Sequence, residues 1–339
     1  MKVGLITTTI NVPRVLELYR AHDPDVRFFV AMDKKTPEKA WEFCENLHNC
    51  HLCRYHETGL AYACDDLIGW NTIARRNIAL LEALKWGAEL IVSIDDDNIP
   101  LNTRYFEDFT SAFDGTFYGI KAQSLGDWFD PASLCFPRVV QRGFPQHEFG
   151  EGLASFYAVT GARIGVAQGM ILGDPDTSAV DRISQRPEVH QVSELLRAGI
   201  VADPKETYAP VNSQNIAFIR ELAPCFLMVP AFGRYDDIYA GLVAQRVMRE
   251  CGLHVGFGRP FVWQQRNPHD LLRDLAAEQW GAEHILKFAA WLDVFTFTKS
   301  QSVIGMLRVM FTNLPDWMPE RGKLQELGLA WLDDAEGVL

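Results

Sequence analysis

The sequence predicts an α/β fold, a Rossmann-like mixed sheet flanked by helices, and three observations carry that reading. Asn71 to Trp86 has helical spacing, and the continuous apolar run Leu90 to Ile94 follows after a short link. Such a run, flanked by turn residues, reads as a strand buried on both faces. Two earlier apolar runs, Val3 to Thr8 and Val26 to Met32, supply further buried strands. Strand, helix, strand with short links is the βαβ pattern of a doubly wound sheet.

The elements follow in chain order. Val3 to Thr8 is the first strand, and Pro13 opens a helix because proline suits a first turn. Val26 to Met32 ends at Asp33-Lys34-Lys35-Thr36-Pro37, a turn composition. Residues 38–66 read as irregular. In the next helix Ala74, Ile78, Leu81 and Leu84 fall at intervals of 4, 3 and 3, giving one apolar face. Asn71 is expected to cap its start and Gly87 its end. Residues 122–212 are rich in Gly, Pro and polar residues and read as long active-site loops. Asn215 to Ile219 and Val255 to Trp263 are strand candidates, and Asp237 to Cys251 is a helix. The expected division is one large α/β unit over 1–270 and a helical, aromatic-rich C-terminal appendage over 271–339.

Composition narrows the function classes. The chain has 339 residues, 48% hydrophobic and 22% charged, as a globular protein does. Its net charge of -12 repels nucleic acid and anionic membranes, so an anionic ligand needs a local positive pocket or a metal. The N-terminus is too short in apolar residues for a signal peptide, and no run of about 18 apolar residues suits a membrane span. The seven cysteines are scattered and odd in number, which suits reduced thiols and a cytoplasmic setting. Cys44, Cys50, Cys53 and Cys64, with His48, His51 and His56, form one dense cluster. It lacks a second close ligand pair, so ordinary thiols are the expectation and zinc the alternative.

Asp95-Asp96-Asp97 follows the central strand, where ligands of open α/β sheets bind. Three adjacent carboxylates repel one another, a cost a protein accepts mainly for a cation. Alternation along an extended chain would turn Asp95 and Asp97 to one side, one for a divalent metal and the other for ribose or metal-bound water. Arg75 and Arg76, near the start of the helix, suit a diphosphate, because guanidinium binds phosphate oxygens bidentately. Pairing with Asp65 or Asp66 is the alternative. Asp236 and Asp237 precede a helix. Capping it is one reading, and orienting or deprotonating an acceptor hydroxyl is the other.

The stretch Trp70 to Ile78 followed by Ile94-Asp95-Asp96-Asp97-Asn98 resembles STELLO-type glycosyltransferases. Gly233-Arg234-Tyr235-Asp236-Asp237-Ile238-Tyr239-Ala240-Gly241, Asn215-Ile216-Ala217-Phe218 and Arg142-Gly143-Phe144-Pro145 resemble the reversibly glycosylated polypeptides, the UDP-arabinopyranose mutases of glycosyltransferase family 75. Scattered matches keep the family's order over roughly residues 1–290. The resemblance implies a glycosyltransferase-A fold, a UDP-sugar, and Mn²⁺ or Mg²⁺. It places Thr7, Thr8, Thr9 and Asp33 under the base and ribose, with Asp33 accepting from the uracil N–H. It adds Arg234 to the nucleotide-sugar contacts and makes Arg142 the counterpart of the arginine the family glycosylates.

Two departures stand out. Phe149 or Gly150 occupies the place of the family's second arginine, which puts mutase chemistry in doubt. The family's Trp-His pair appears as Trp263-Gln264, so the expected metal set is Asp95, Asp97 and the weaker oxygen ligand Gln264. Arginine is a poor nucleophile, and Arg142 is expected instead to neutralise the leaving diphosphate. The expected function is metal-dependent glycosyl transfer from a UDP-sugar to a small-molecule or glycan acceptor. A UDP-sugar mutase and a noncatalytic nucleotide-sugar-binding subunit are the alternatives, and a homo-oligomer is admitted.

Overall fold

The computed structural model describes residues 1–53, 62–145, 154–266 and 270–339. Its centre is an 11-stranded mixed sheet with helices on both faces. From one edge the strands run Cys50–Cys53, Arg27–Ala31, Val3–Thr8 and Leu90–Ile94, all parallel. Asn215–Ile219 then enters antiparallel, followed by Ile164–Gly173 and His254–Gln264, which are parallel to each other. Ile200–Ala202, Phe117–Ser124 and Ala154–Ala162 complete the far edge. Asn98–Pro100 lies off this path and pairs with the end of His254–Gln264, setting Asn98 opposite Gln264. This is the α/β architecture that the sequence predicts, a mixed sheet flanked by helices with a helical C-terminal region.

The inner parallel strands are mainly apolar because helices cover both faces, and Leu90–Ile94 is buried at every residue. The helix before it departs from expectation. It spans Arg76–Trp86, preceded by a 3₁₀ turn at Ile73–Arg75 that Thr72, not Asn71, caps. Every residue from Arg76 to Leu84 is buried, Asn77 and Glu82 included, so the helix has no solvent face of the kind its spacing suggested. Gly87 does terminate it, in the left-handed conformation.

Two further expectations are corrected. Within 38–66 the chain forms a helix, Glu38–Asn46, a strand, Cys50–Cys53, and a helix, Ala63–Ile68. The first helix buries only Ala40 and Cys44, too thin a stripe to read from pattern. The stretch 122–212 contains the long strands Ala154–Ala162 and Ile164–Gly173, besides short helices. Its strands carry many small residues, which weakens the apolar signal.

At the C-terminus the helices Leu271–Asp293, Val303–Thr312 and Arg321–Glu336 pack on the helical layer, the first against Asp236–Cys251 and the last against Ala63–Ile68 and Arg76–Trp86. One apolar cluster runs from Ile6 and Ile91 in the sheet to Phe288, Met310 and Trp331 in these helices. Gly233 is at φ +59, and a Cβ there would lie 2.4 Å from the Ala277 carbonyl oxygen, so only glycine lets this turn touch the long helix. No helix among the described residues is long and apolar enough to cross a membrane. All seven cysteines are free.

Candidate active site

The acidic turn begins where Leu90–Ile94 ends. Beyond Ile94 the backbone folds over, with the Asn98 N–H donating to the Asp95 carbonyl at 3.3 Å. The alternation expected of an extended chain therefore does not apply, and the three carboxylates reach three different partners. Asp95 takes the Arg76 Nη2 at 2.7 Å. Asp96 accepts from the Thr9 hydroxyl. Asp97 faces Gln264, whose Nε2 lies 3.3 Å from Oδ1. Asp95 thus engages Arg76, while Asp97 is brought to Gln264 by the pairing of Asn98–Pro100 on His254–Gln264.

Asp97 is the least compensated of the three. Burial, then the charges of Asp95 and Asp96, push its carboxyl up to about 7. Asp95 holds a guanidinium and Asp96 a hydroxyl, each through one oxygen, whereas Asp97 meets the neutral Gln264 amide. One carboxylate beside one amide, whose oxygen a rotation would bring forward, is an oxygen donor set that suits a hard divalent cation sharing its remaining positions with water and phosphate. Among the described residues no group of three or more His, Cys, Asp or Glu side chains is arranged to hold a metal without such help. The residues present fit a metal held jointly with a ligand.

The arginines expected to clamp a diphosphate are engaged inside the protein. Arg75 pairs with Asp65 and lies 4.3 Å from the Trp70 ring centroid. Arg76 binds Asp95, the Ser93 hydroxyl and the Ser213 carbonyl. The residues expected under the base are likewise occupied. Thr7 donates to the Ile94 carbonyl at 2.9 Å and Thr8 to that of Ala31 at 2.8 Å, stitching neighbouring strands. Asp33 accepts the backbone N–H groups of Lys34, Asn71 and Thr72 at 2.6, 2.8 and 3.1 Å, which fixes the approach to the Arg76 helix. Arg234 pairs with Glu278 at 3.0 Å and Asp274 at 3.5 Å on the long C-terminal helix, not with the acidic turn.

A second ionic network surrounds Arg142. Its Nε and Nη2 donate to the two oxygens of Asp176, each at 2.9 Å, and Nη1 and Nη2 reach Asp237 at 3.3 and 3.4 Å. Burial works to lower the pKa of this guanidinium, but Asp176 and Asp237 outweigh it and hold the group well above its ordinary value. Asp237 also accepts the Ser213 N–H and hydroxyl. Its neighbour Asp236 is fully enclosed, and burial, with the adjacent Asp237 charge, pushes its carboxyl up to about 7. Neither aspartate stands at the helix cap, which is Tyr235.

Beside Gln264 opens a cleft of about 660 Å³, lined among others by Asp174, Arg182, Arg186, Trp263 and Arg266. Sequence reasoning missed Asp176, Arg182 and Arg266. A signal existed for the first: Gly173-Asp174-Pro175-Asp176 closes the apolar run of Ile164–Gly173, the strand-end position already used to single out Asp95 to Asp97. Phe149, Gly150 and His56, which figured in the sequence reading, lie outside the described residues.

Comparison with known protein families covers Asp176, Asp236, Asp237, Gln264 and Arg266 but not the acidic turn, Arg76 or Arg142. The family model for reversibly glycosylated polypeptides matches residues 145–306. This chain resembles that family. A probable UDP-arabinopyranose mutase 1 from Solanum tuberosum is 28% identical over 183 residues, 51% of this chain and 49% of the relative. UDP-arabinopyranose mutase 1 from Arabidopsis thaliana is 26% identical over 183 residues, 51% of this chain and 50% of the relative. The chain thus spans about half the length of the curated relatives it matches. Among solved structures, a mannosyltransferase from Pyrobaculum calidifontis in complex with GDP-Man and Mn²⁺ aligns with a TM-score of 0.38 and 11% identity, covering 99% of this chain and 73% of that one.

Proposed function

We propose that this protein binds a nucleotide-sugar, with uridine as its nucleoside, at the Asp95–Asp97 turn and moves its glycosyl group to an acceptor. The observation that carries the reading is Asp97: a half-buried, undercompensated carboxylate just beyond the end of a central strand, facing the amide of Gln264. Asp97 and Gln264 would hold Mn²⁺ or Mg²⁺ together with the diphosphate, and the metal would supply Lewis-acid neutralisation of the leaving group. Asp95 and Asp96 position the turn through Arg76 and Thr9. Asp236 and Asp237 at the start of the Asp236–Cys251 helix would position the acceptor, with Asp237 ordering the surrounding loop through Ser213.

The second reading is a UDP-sugar mutase, supported by what the relatives are called. Burial of Arg142 between two carboxylates favours transfer that uses no arginine-bound sugar. UDP titration with and without Mn²⁺ tests the site: Asp97→Asn should abolish the metal-dependent part of binding in a folded protein, and unchanged affinity would refute the assignment. UDP release from a panel of UDP-sugars then separates the activities. Release that requires an acceptor marks a transferase, ring interconversion without net release marks a mutase, and binding without turnover marks a noncatalytic subunit.

A further inference from the structure

The cleft beside Gln264 is cationic on a protein whose net charge is -12. Its charged lining comprises Arg182, Arg186 and Arg266 against Asp174 and Glu188. Two of these arginines are buried without full partners. The Arg266 side chain is 7% exposed, yet its carboxylate neighbours are distant, Asp174 at 3.8 Å and Asp176 at 3.9 Å. Among the described residues its Nη2 donates to the Gln264 oxygen alone, at 3.4 Å. The Arg182 side chain is 8% exposed, pairs with Asp174 through Nη1 and donates to the Pro175 carbonyl through Nη2. In both arginines the Nε is buried and has no hydrogen-bond partner among the described residues. A buried guanidinium donor left unmet is costly, and proteins retain such groups where a ligand completes them.

Arg186 adds an independent observation. It sits at the cleft with φ +46, a conformation that costs a side-chain-bearing residue about 1 kcal/mol or more. No ion pair or hydrogen bond of its side chain offsets this among the described contacts.

We infer that Arg266, Arg182 and Arg186 form a phosphoanion subsite, continuous with Asp97 through Gln264, that takes a phosphate or diphosphate group of the ligand. The choice of a phosphoanion over a carboxylate rests on the nucleotide-sugar reading above; the cationic cleft itself does not. Gln264 touches both halves, Asp97 with its Nε2 and Arg266 with its Oε1. A phosphate in the cleft would meet the bidentate fork of Arg266, with Arg186 at the rim. Two ligands carry that chemistry: the donor, through its own diphosphate, and a phosphorylated acceptor standing next to it.

The test is calorimetric titration of the whole chain with inorganic pyrophosphate, UDP and glucose 1-phosphate, in EDTA and in Mn²⁺. Arg266→Gln is expected to weaken pyrophosphate binding in EDTA by about 10- to 100-fold, the loss of a charge-assisted pair of hydrogen bonds. Arg186→Gln, which removes only a rim charge, is expected to weaken it by up to about fivefold. It also keeps the test alive if Arg266→Gln does not fold. If UDP affinity falls in parallel, the subsite holds the donor's diphosphate. If glucose 1-phosphate affinity falls alone, and it binds alongside UDP, the subsite holds an acceptor phosphate. Unaltered binding of all three anions in folded variants would overturn the inference. UDP binding lost in Asp97→Asn but indifferent to the arginines would overturn it too, while leaving the nucleotide-sugar reading intact. Arginine-dependent pyrophosphate binding without any Mn²⁺-dependent UDP binding would uphold the subsite and sink that reading.

Discussion

Ser213 donates its backbone N–H and its hydroxyl to the same oxygen of Asp237, at 3.0 and 3.1 Å. Its carbonyl meanwhile accepts from Arg76, which holds Asp95. A single loop residue therefore joins two ion pairs, Arg76 with Asp95 and Arg142 with Asp237. These come from four stretches far apart in sequence, so the acidic turn and the Asp236–Cys251 helix are fixed relative to each other by polar contacts. Buried ionic networks of this kind specify geometry more than they add stability.

Removing the centre of the second pair should be expensive. Arg142→Ala would leave Asp237 buried beside Asp176 without its guanidinium, and Asp176 with the more distant Arg266 at 3.9 Å. The expected loss is about 3–5 kcal/mol, as for other broken buried pairs. Arg142→Lys keeps the charge but not the fork and should lose less. Urea unfolding of the three proteins measures this; an Ala variant as stable as the parent would mean the network is dispensable.

Asp33 gives a contrasting expectation. Its carboxylate holds the N–H groups of Asn71 and Thr72, so it acts on the loop that leads into Arg76. Asp33→Ala should destabilise by about 1–3 kcal/mol through unmet donors. It should weaken UDP and GDP binding alike, because the loop and not the base is disturbed. Selective loss of UDP binding in a variant of unchanged stability would restore the base-reading role.

The strands Val3–Thr8, Arg27–Ala31 and Leu90–Ile94 and the acidic turn after the last were legible because burial on both faces leaves short apolar runs bounded by turn residues. Asp97 and Gln264 could be named together only through the family resemblance; their contact depends on Asn98–Pro100 pairing with a strand more than 150 residues later. The functions assigned to Arg75 and Arg76 show the opposite. Adjacent arginines near an acidic turn look alike in sequence whether they face a ligand or a carboxylate, and here Asp65 and Asp95 take them. Arg182 and Arg266 were not singled out because the cleft they line draws on three separate segments, none with a repeating pattern.

Asp130 sets a pH dependence away from the site. It is fully buried, accepts the Ala132 N–H at 2.9 Å, and burial pushes its carboxyl from 3.8 up to about 7. Between those values the folded state holds a proton that the unfolded chain releases. The stability linked to this group is therefore complete below pH 4 and is lost as pH rises through 7, by a few kcal/mol at most for about three units. Asp130→Asn cannot ionise and preserves an acceptor for Ala132. Melting temperatures from pH 4 to 7 should decline less steeply in this variant than in the parent; identical slopes would rule Asp130 out as the source.

The state of Arg142 decides whether sugar is carried on the protein. All three guanidinium nitrogens are engaged, Nε and both Nη, by Asp176 and Asp237. The two carboxylates keep the group protonated, and a protonated guanidinium has no lone pair with which to attack an anomeric carbon. Forming a glycosyl bond there would require the proton to leave and at least one buried carboxylate to lose its partner. Intact-protein mass spectrometry after incubation with a turned-over UDP-sugar and Mn²⁺ should accordingly show no stable one-sugar increment. The same sample digested and mapped should return Arg142 unmodified. An increment at Arg142 that excess UDP removes would reverse the ranking and make the mutase the leading function, since the buried network would then have to open during each turnover.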